Sequence, residues 1–388
     1  MATDLTPIFV WIAGQALADT PIEQMVAGLG ERLNEAGLDI ARAHVSTSTL
    51  HPMVSALSVT WHPDAAPERF DVGHGVTPTE AWLRSPLHHM QMANLNIMRQ
   101  RLDRPNEPFD FPVFEEFAAA GMTEWIAFRE GFDWISTWAA EGQFGLVASL
   151  TTRRPGGFSD ETLPHLMALT KPIAAAVKSR FVTTIARDVL AAYLGRDAAS
   201  RVLTGNIVRG GVTESPAVVM MADIKGFTHF SNTRPIAEVV ALLNDSFDRI
   251  AGIVGRHGGE VLKFIGDGAL AIFLLENRAA ADVAAEALAA AEEIQAASPP
   301  GLGMSIGLNI GDVHYGNVGA AGRLDFTAIG PAVNEVARLE ALCGTLGRPT
   351  LLSGALAAVA PDAWRARLTS IGTHTLKGFD EPREVFAL

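Results

Sequence analysis

The chain has little cysteine: its 388 residues include one, Cys343. No disulfide can therefore form within the chain, which fits a reducing compartment. A zinc site with the usual cysteine and histidine spacing is also absent. With no base visible beside it, Cys343 is better explained by packing on a helix than by nucleophilic catalysis.

Long hydrophobic runs and an excess of basic charge are missing as well. No uninterrupted apolar run reaches about 18 residues, so no membrane-spanning helix is predicted. The N-terminus has a short apolar run without a basic start, which is not typical of a signal peptide. These absences predict a soluble, cytoplasmic protein. The net charge of −13 argues against nucleic-acid binding but leaves a polyphosphate ligand possible.

The length predicts two domains, at roughly 150 residues per domain, and the 48% hydrophobic content suits globular cores. Residues 1–158 combine helical periodicity at Pro21–Ala36 with alternating stretches at Ala56–Trp61 and Phe144–Thr151. The first block is therefore predicted to be an α+β domain. It holds six of the seven tryptophans: Trp11, Trp61, Trp82, Trp125, Trp134 and Trp138.

A long helical pattern runs from Asp160 to Tyr193, within the predicted connector of residues 159–212. Its apolar residues follow steps of three or four from Leu166 to Val189, and Ser159 is a candidate N-cap. Pro172 should kink this helix or split it into two. The stripe favours a parallel dimerisation helix, and the alternative is that it packs on the first domain.

Residues 213–388 show a second α+β pattern, for which we expect one sheet with helices on one face. Residues 205–215 read as a linker or short hairpin before it. The predicted strands are 217–222, 260–265, 269–274, 302–310, 312–318 and 324–329, with further strands near the C-terminus. The predicted helices are 235–255, 277–297 and 331–345.

Two aspartates follow or join short strands in this second block. Asp223 ends the apolar strand 217–222, and Asp267 lies at the tip of the hairpin KFIGDG. Each alone has an ordinary explanation: Asp267-Gly268 is a common pair in tight turns, and Asp223 lies at a strand end shortly before Gly226. If the strands are neighbours, the two carboxylates project from the same sheet end and repel unless a cation lies between them. Mg²⁺ is the usual cation for such oxygen ligands in a nucleotide site.

The segment after Asp223 suits a phosphate group. Gly226 permits a sharp turn of the backbone. The exposed main-chain N–H groups of Gly226, Phe227 and Thr228 can then contact phosphate oxygens. Farther on, Asn334 and Arg338 are four residues apart on one helix face. They suit a ribose oxygen and a phosphoryl group, although a solvated helix face explains them equally well without other motifs.

Taken in order, ADIKGFT, KFIGDG, FTAIGPAVNEVARLE and LKGF resemble the class III nucleotidyl cyclase catalytic domain, which has a ferredoxin-like α+β fold. The resemblance covers residues 216–388. It implies that Asp223, Asp267 and the carbonyl of Ile224 bind two Mg²⁺ or Mn²⁺ ions per site. Lys225 stands where the family often has arginine, and Pro331-Ala332 where Asp-Thr is common; neither removes a catalytic group.

The remaining site residues are also implied by this resemblance. Lys263 and Thr327 fall at the two positions that read the purine, and this pair favours ATP over GTP. Asn334 matches the residue that orients the ribose, and Arg338 the one that stabilises the transition state. Lys377 matches the polyphosphate-binding lysine, and Arg323 can assist it.

The implied reaction is attack of the ATP 3′-hydroxyl on its own α-phosphorus, giving 3′,5′-cyclic AMP and pyrophosphate. In this family the metal aspartates and the Asn, Arg and purine-reading Lys come from different catalytic domains. A chain with one such domain should therefore act as a homodimer. The alternatives left open are a guanylate cyclase, a non-catalytic nucleotide receptor, and a scaffold protein.

In residues 1–158, the order of a helix, strands and then GFSDETL leading into a long helix resembles a GAF domain, and regulatory domains lie at this place in such cyclases. The expected effector is a small molecule of unknown identity. His74, His88 and the tryptophans leave a haem or chromophore open, although loop histidines and core tryptophans explain them as well.

Overall fold

A computed structural model describes residues 4–18, 20–48, 54–103, 108–132, 145–299 and 301–388. The chain divides into two compact units, residues 1–189 and residues 190–388, so the boundary falls within the predicted connector. None of the helices in the described ranges is long and apolar enough to span a membrane.

The first unit contains a six-stranded antiparallel sheet with the strand order β3-β2-β1-β6-β5-β4. Its strands are β1 (Ile40–Ser48), β2 (Val54–Trp61), β3 (Glu68–Gly73), β4 (Ile97–Arg101), β5 (Glu124–Gly131) and β6 (Gly145–Thr152). Its helices are α1 (Thr6–Leu17), α2 (Ile22–Glu35), α3 (Glu80–Leu83), α4 (Pro86–Met92), α5 (Pro112–Ala119) and the first part of α6 (Leu163–Leu194).

Apolar residues cover both faces of this sheet. Val45 and Phe128 pack with residues of α1, α2 and α6 on one face, while Ala127 packs with Met90 and Phe114 on the other. The predicted helix and the predicted strands are confirmed within a few residues, and Trp61 and Trp125 lie in the cores. Residues 134, 138 and 144 lie outside the described part of the chain.

Helix α6 runs through Pro172 without a break, so of the two outcomes predicted there, a kink or a split, the split does not occur. Leu169 before the proline and Val177 after it are both buried in the core of the first unit. This continuous packing holds the helix together where one backbone hydrogen bond is lost. The Oγ of Ser159 accepts a hydrogen bond from the N–H of Thr162 at 3.3 Å, but α6 begins at Leu163, so Ser159 lies in the turn before the helix and is not its N-cap as predicted. Dimerisation through α6 stays a prediction.

The second unit contains an eight-stranded sheet in the order β13-β14-β12-β10-β7-β9-β8, with β11 paired to β10. The strands are β7 (Val212–Ile224), β8 (Glu260–Ile265), β9 (Gly268–Leu274), β10 (Met304–Ala320), β11 (Arg323–Ile329), β12 (Thr350–Ser353), β13 (Thr369–His374) and β14 (Arg383–Ala387). The helices are α7 (Arg196–Leu203), α8 (Phe227–Thr233), α9 (Ile236–Arg256), α10 (Ala280–Ala296), α11 (Pro331–Leu346), α12 (Gly354–Val359) and α13 (Asp362–Arg365).

Helices cover both faces of this sheet, so the expectation of helices on one face is wrong. Val218 and Met220 of β7 pack with α9 and α10, whereas Val219, between them, packs with α11 on the opposite face. The alternation along a strand places these residues on opposite sides. Both faces are apolar in the continuous run before Asp223, which is the pattern of a strand buried on both sides.

Strand β10 is longer than expected. The two strands predicted at 302–310 and 312–318 are one strand, which pairs with β7 from Met304 opposite Ile224 to Gly316 opposite Val212. Strand β7 begins at Val212, so the end of the predicted linker at 205–215 belongs to the sheet. The long pairing fixes the end of β7, where Asp223 lies.

Candidate active site

Asp223 and Asp267 lie together at one end of the sheet, as the sequence predicts. Asp223 is the second-last residue of β7 and pairs with Gly268, the first residue of β9. Asp267 precedes Gly268 in the turn between β8 and β9. A Cβ atom on Gly268 would lie 3.0 Å from Oδ2 of Asp223, so the glycine leaves room for this carboxylate.

The environment of Asp223 favours its uncharged form. Burial raises the pKa of Asp223 to about 6, with further contributions from the charge of Asp267 and from a hydrogen bond between the two carboxyl groups. Two carboxylates in contact cannot both ionise cheaply without a compensating cation. The pair therefore has the chemistry of a cation site.

The donor set fits Mg²⁺ or Mn²⁺ better than a softer metal. In the described ranges no cluster of three or more His, Cys, Asp and Glu side chains could hold a metal. Two carboxylates, with the main-chain oxygen of Ile224 beside them, offer only oxygen ligands. Mg²⁺ commonly takes one or two carboxylates and completes its shell with water and substrate phosphates.

The segment after β7 turns sharply. Gly226 has a φ of 78°, in the left-handed region that favours glycine, and α8 starts at the next residue. Phe227 packs against the core formed by α9 and α10, while Thr228 is exposed. Main-chain N–H groups at the start of α8 therefore lie close in sequence to Asp223.

Lys263 on β8 forms an ion pair with Asp325 on β11. Thr327, two residues after Asp325, is buried on the same strand. The motifs did not point to Asp325. The pattern Asp-Phe-Thr could have indicated Asp325, because residues two apart on a strand lie on the same face and Thr327 was already a predicted purine-binding residue.

Asn334 and Arg338 are both exposed and one helical turn apart on α11, as predicted. The Nε of Arg338 donates a hydrogen bond to the carbonyl oxygen of Lys377 at 3.2 Å, which joins α11 to the loop before β14. The side chains of Lys377 and Arg323 are in exposed residues. Across the described ranges, no ion pair joins either aspartate to Lys263, Arg338 or Lys377.

Glu340 is a further acidic group near the aspartates that the motifs did not indicate. Burial raises its pKa to about 7, and the charges of Asp223 and Asp267 add to the rise, while Lys225 opposes it. It lies on α11 two residues after Arg338. Glu340 is distinguished from other acidic residues only by being half-buried. Burial depends on the tertiary structure, so the sequence motifs could not indicate it.

Comparison with known proteins identifies the domain. Residues 213–378 match the family model described as the adenylate and guanylate cyclase catalytic domain. An uncharacterized protein of Mycobacterium tuberculosis (strain CDC 1551 / Oshkosh) is 35% identical over 201 residues. The match covers 51% of this chain but 36% of that protein. An uncharacterized protein of Mycobacterium bovis is 37% identical over 198 residues, covering 50% of this chain and 35% of that relative.

Solved structures of cyclases are similar to part of the chain. The adenylyl cyclase CyaB from P. aeruginosa is 24% identical, with a TM-score of 0.40, over 45% of this chain and 94% of the other. A bacterial light-regulated adenylyl cyclase is 30% identical, with a TM-score of 0.38, over 45% and 91%. The guanylyl cyclase Cya2 is 28% identical, with a TM-score of 0.38, over 45% and 92%. On the family match, residues 213–378 form a catalytic domain of the adenylate and guanylate cyclase family.

Proposed function

We propose that the chain is an adenylate cyclase, which converts ATP to 3′,5′-cyclic AMP and pyrophosphate and works as a homodimer. The observation that carries this proposal is the contact between Asp223 and Asp267, with the raised pKa of Asp223. A pair of repelling carboxylates at a strand end costs stability. The pair is explained if the two carboxylates bind cations that in turn bind a triphosphate.

Asp223 and Asp267, with the carbonyl of Ile224, are the proposed ligands of two Mg²⁺ or Mn²⁺ ions. When bound, these ions supply positive charge beside the reacting hydroxyl and the triphosphate. Main-chain N–H groups of Gly226, Phe227 and Thr228 are the proposed donors to phosphate oxygens.

The cationic residues have separate proposed roles. Arg338 opposes the charge that develops on the α-phosphoryl oxygens, a contribution of about 3 kcal/mol for a fixed donor. Lys377 binds the polyphosphate, assisted by Arg323, and Asn334 orients the ribose. Support for the pairing of Arg338 with Lys377 comes from the hydrogen bond between them.

The proposed purine is adenine. A lysine ammonium can only donate hydrogen bonds, and N1 of adenine accepts one, whereas N1 of guanine carries a hydrogen. Lys263 is therefore suited to N1 of adenine, and the hydroxyl of Thr327 can accept from the adenine amino group.

The homodimer is supported by two features of the second unit. The acid pair makes no ion pair with Arg338 or Lys263 of its own chain in the described ranges, as expected if each site combines residues of two chains. Exposed apolar side chains flank the purine residues on β8 and β11: Phe264, Ile265, Leu324 and Ile329. Such a patch is typical of a surface that a second copy covers.

For the first unit we propose a GAF-like sensor that binds a small molecule of unknown identity. Its support is the separate core of a six-stranded sheet with helices on both faces, followed directly by the long helix α6. A ligand that changes the packing of α6 would change the relation between two catalytic domains.

The test is to incubate the purified full chain with MgATP and measure cyclic AMP, with MgGTP assayed in parallel. We expect cyclic AMP to form, and activity to disappear with excess EDTA and return with Mg²⁺ or Mn²⁺. Cyclic GMP as the main product would make the chain a guanylate cyclase. Absence of both products, with nucleotide bound, would make it a receptor.

A further inference from the structure

The ion pair between Lys263 and Asp325 links two strands that share no backbone hydrogen bonds. Strand β8 pairs with β9, while β11 pairs with β10. The side chain of Lys263 is 27% exposed and that of Asp325 is 59% exposed. The lysine is thus the more enclosed partner, and the carboxylate contacts it from the more open side.

We propose that Asp325 is a positioning residue that fixes the ammonium of Lys263 and thereby sets the preference for adenine over guanine. This inference rests on the proposed function. A lysine ammonium is a point charge on a flexible stem, so it has no fixed direction without a partner. An ionic hydrogen bond to a carboxylate supplies that direction, and two further N–H donors of the ammonium stay available.

The direction of the ammonium decides which purine is accepted. A fixed ammonium opposite N1 satisfies adenine but meets the N1–H donor of guanine, and two facing donors leave both unsatisfied. A released ammonium can instead turn to O6 of guanine, which accepts. A site that hydrogen-bonds one substrate discriminates strongly only while its polar groups keep their positions.

The shape of β11 supports a shared purine-reading surface. Asp325 and Thr327 are two residues apart and lie on the same face of the strand. Between them Phe326 points into the core, where it packs edge-on against Tyr315 at 4.8 Å between ring centroids. This packing fixes the strand and therefore the carboxylate.

The experiment is a double-mutant cycle in the full chain. Asp325→Asn keeps the shape and removes the charge, and we expect the ratio of kcat/KM for ATP to that for GTP to fall about tenfold. The change should lie mainly in KM for ATP. Asp325→Glu should restore part of the ratio. In a Lys263→Ala background, Asp325→Asn should have no further effect, because the residue acts through the lysine.

Two results would overturn the proposal: an unchanged ratio in Asp325→Asn, or an equal loss with and without Lys263. The matched control is Asp362→Asn, which removes an exposed ion pair to Arg365 (3.7 Å) on α13 and should leave the ratio unchanged. Thermal melting of each variant checks folding.

A failure of the proposed cyclase function can be distinguished from a failure of the inference about Asp325. If the wild-type chain turns over neither nucleotide, equilibrium dialysis with ATP and GTP in Mg²⁺ replaces the assay. The inference survives if Asp325→Asn lowers the ratio of ATP to GTP affinity about tenfold, and it fails if that ratio stays constant.

Discussion

At the scale of single residues, the acid pair shows how neighbouring charges define a site. Burial and the charge of Asp267 both disfavour ionised Asp223, so the pKa of Asp223 rises to about 6. A divalent cation reverses this balance, because it stabilises both ionised carboxylates. The same two side chains that cost stability in the free protein are therefore the ones expected to bind metal.

Replacing Asp267 by Asn should remove most of the cyclase activity. The amide keeps the size of the side chain but loses the negative charge that a metal ligand needs. A loss of several kcal/mol of transition-state stabilisation corresponds to at least about 100-fold in kcat. Cyclic AMP formation at saturating MgATP measures it. The control is Asp248→Asn, an exposed aspartate on α9, and equal losses in both variants would contradict the assignment.

Cys343 should be unreactive in the folded protein. Its side chain is buried, and burial is the main cause that raises the pKa of the thiol to about 11. Since the thiolate is the reactive form, only about 0.1% of the thiol is reactive at pH 8, and access is blocked as well. A disulfide reagent at pH 8 should detect almost no thiol in the native chain. In 6 M guanidinium, roughly one thiol per chain should react; rapid reaction of the native protein would show that this helix opens.

At the scale of elements, α11 is placed by a glycine on the strand beneath it. A Cβ on Gly307 of β10 would lie 2.5 Å from the carbonyl oxygen of Val336 and 2.7 Å from the N of Glu340. Both atoms belong to the backbone of α11, so they cannot rotate away. The helix that carries Asn334 and Arg338 therefore lies on the sheet at a distance that only glycine permits.

Gly307→Ala should displace α11 and weaken both folding and activity. Overpacking against a backbone costs about 2 kcal/mol, and the shift moves Arg338 away from its proposed position. Urea unfolding and the cyclase assay measure the two effects. Gly344→Ala on α11 itself is the control, because its Cβ would meet nothing within 4 Å. It should raise stability by about 0.5–1 kcal/mol; similar losses in both variants would refute the role of close packing.

At the scale of the whole molecule, the proposed site needs two chains. Asp267→Asn and Arg338→Ala should each be inactive alone, but they should complement one another when co-expressed. In a mixed dimer one site receives both changes and the other receives none. Random pairing then gives about one quarter of wild-type activity, since about half the dimers have one intact site of two.

The complementation has its own control. Two different changes on the same half of the site, Asp267→Asn with Asp223→Asn, should give no activity on co-expression, because every site keeps one altered aspartate. No activity in the first pair would show that each site is built from one chain. Activity in the control pair would show that Asp223 and Asp267 of one site come from different chains, against the proposed arrangement.

Structural features that depend on residues close together in the sequence were predicted well, and features that depend on residues far apart in the sequence were not. The alternation and apolar runs located the three long helices and most of the strands of the second unit to within a few residues, because those patterns are local. They did not predict the short helices α8, α12 and α13, and β7 begins five residues before the predicted strand. The split of 302–318 into two strands was wrong, since Gly311 interrupts the pattern but the pairing with β7 continues across it. Of the kink or split predicted at Pro172, the split does not occur, because packing on both sides outweighs one lost hydrogen bond.

The sequence by itself determined the kinds of groups available: two aspartates after or between strands, a glycine turn, and an amide and a guanidinium one helical turn apart. Local backbone geometry places each of these without help from distant residues. Only the tertiary structure decided that Asp223 contacts Asp267, that α11 covers the second face of the sheet over Gly307, and that Asp325 pairs with Lys263. These contacts join residues more than 25 positions apart, and no local pattern encodes which distant side chain will fill the remaining space or neutralise the remaining charge.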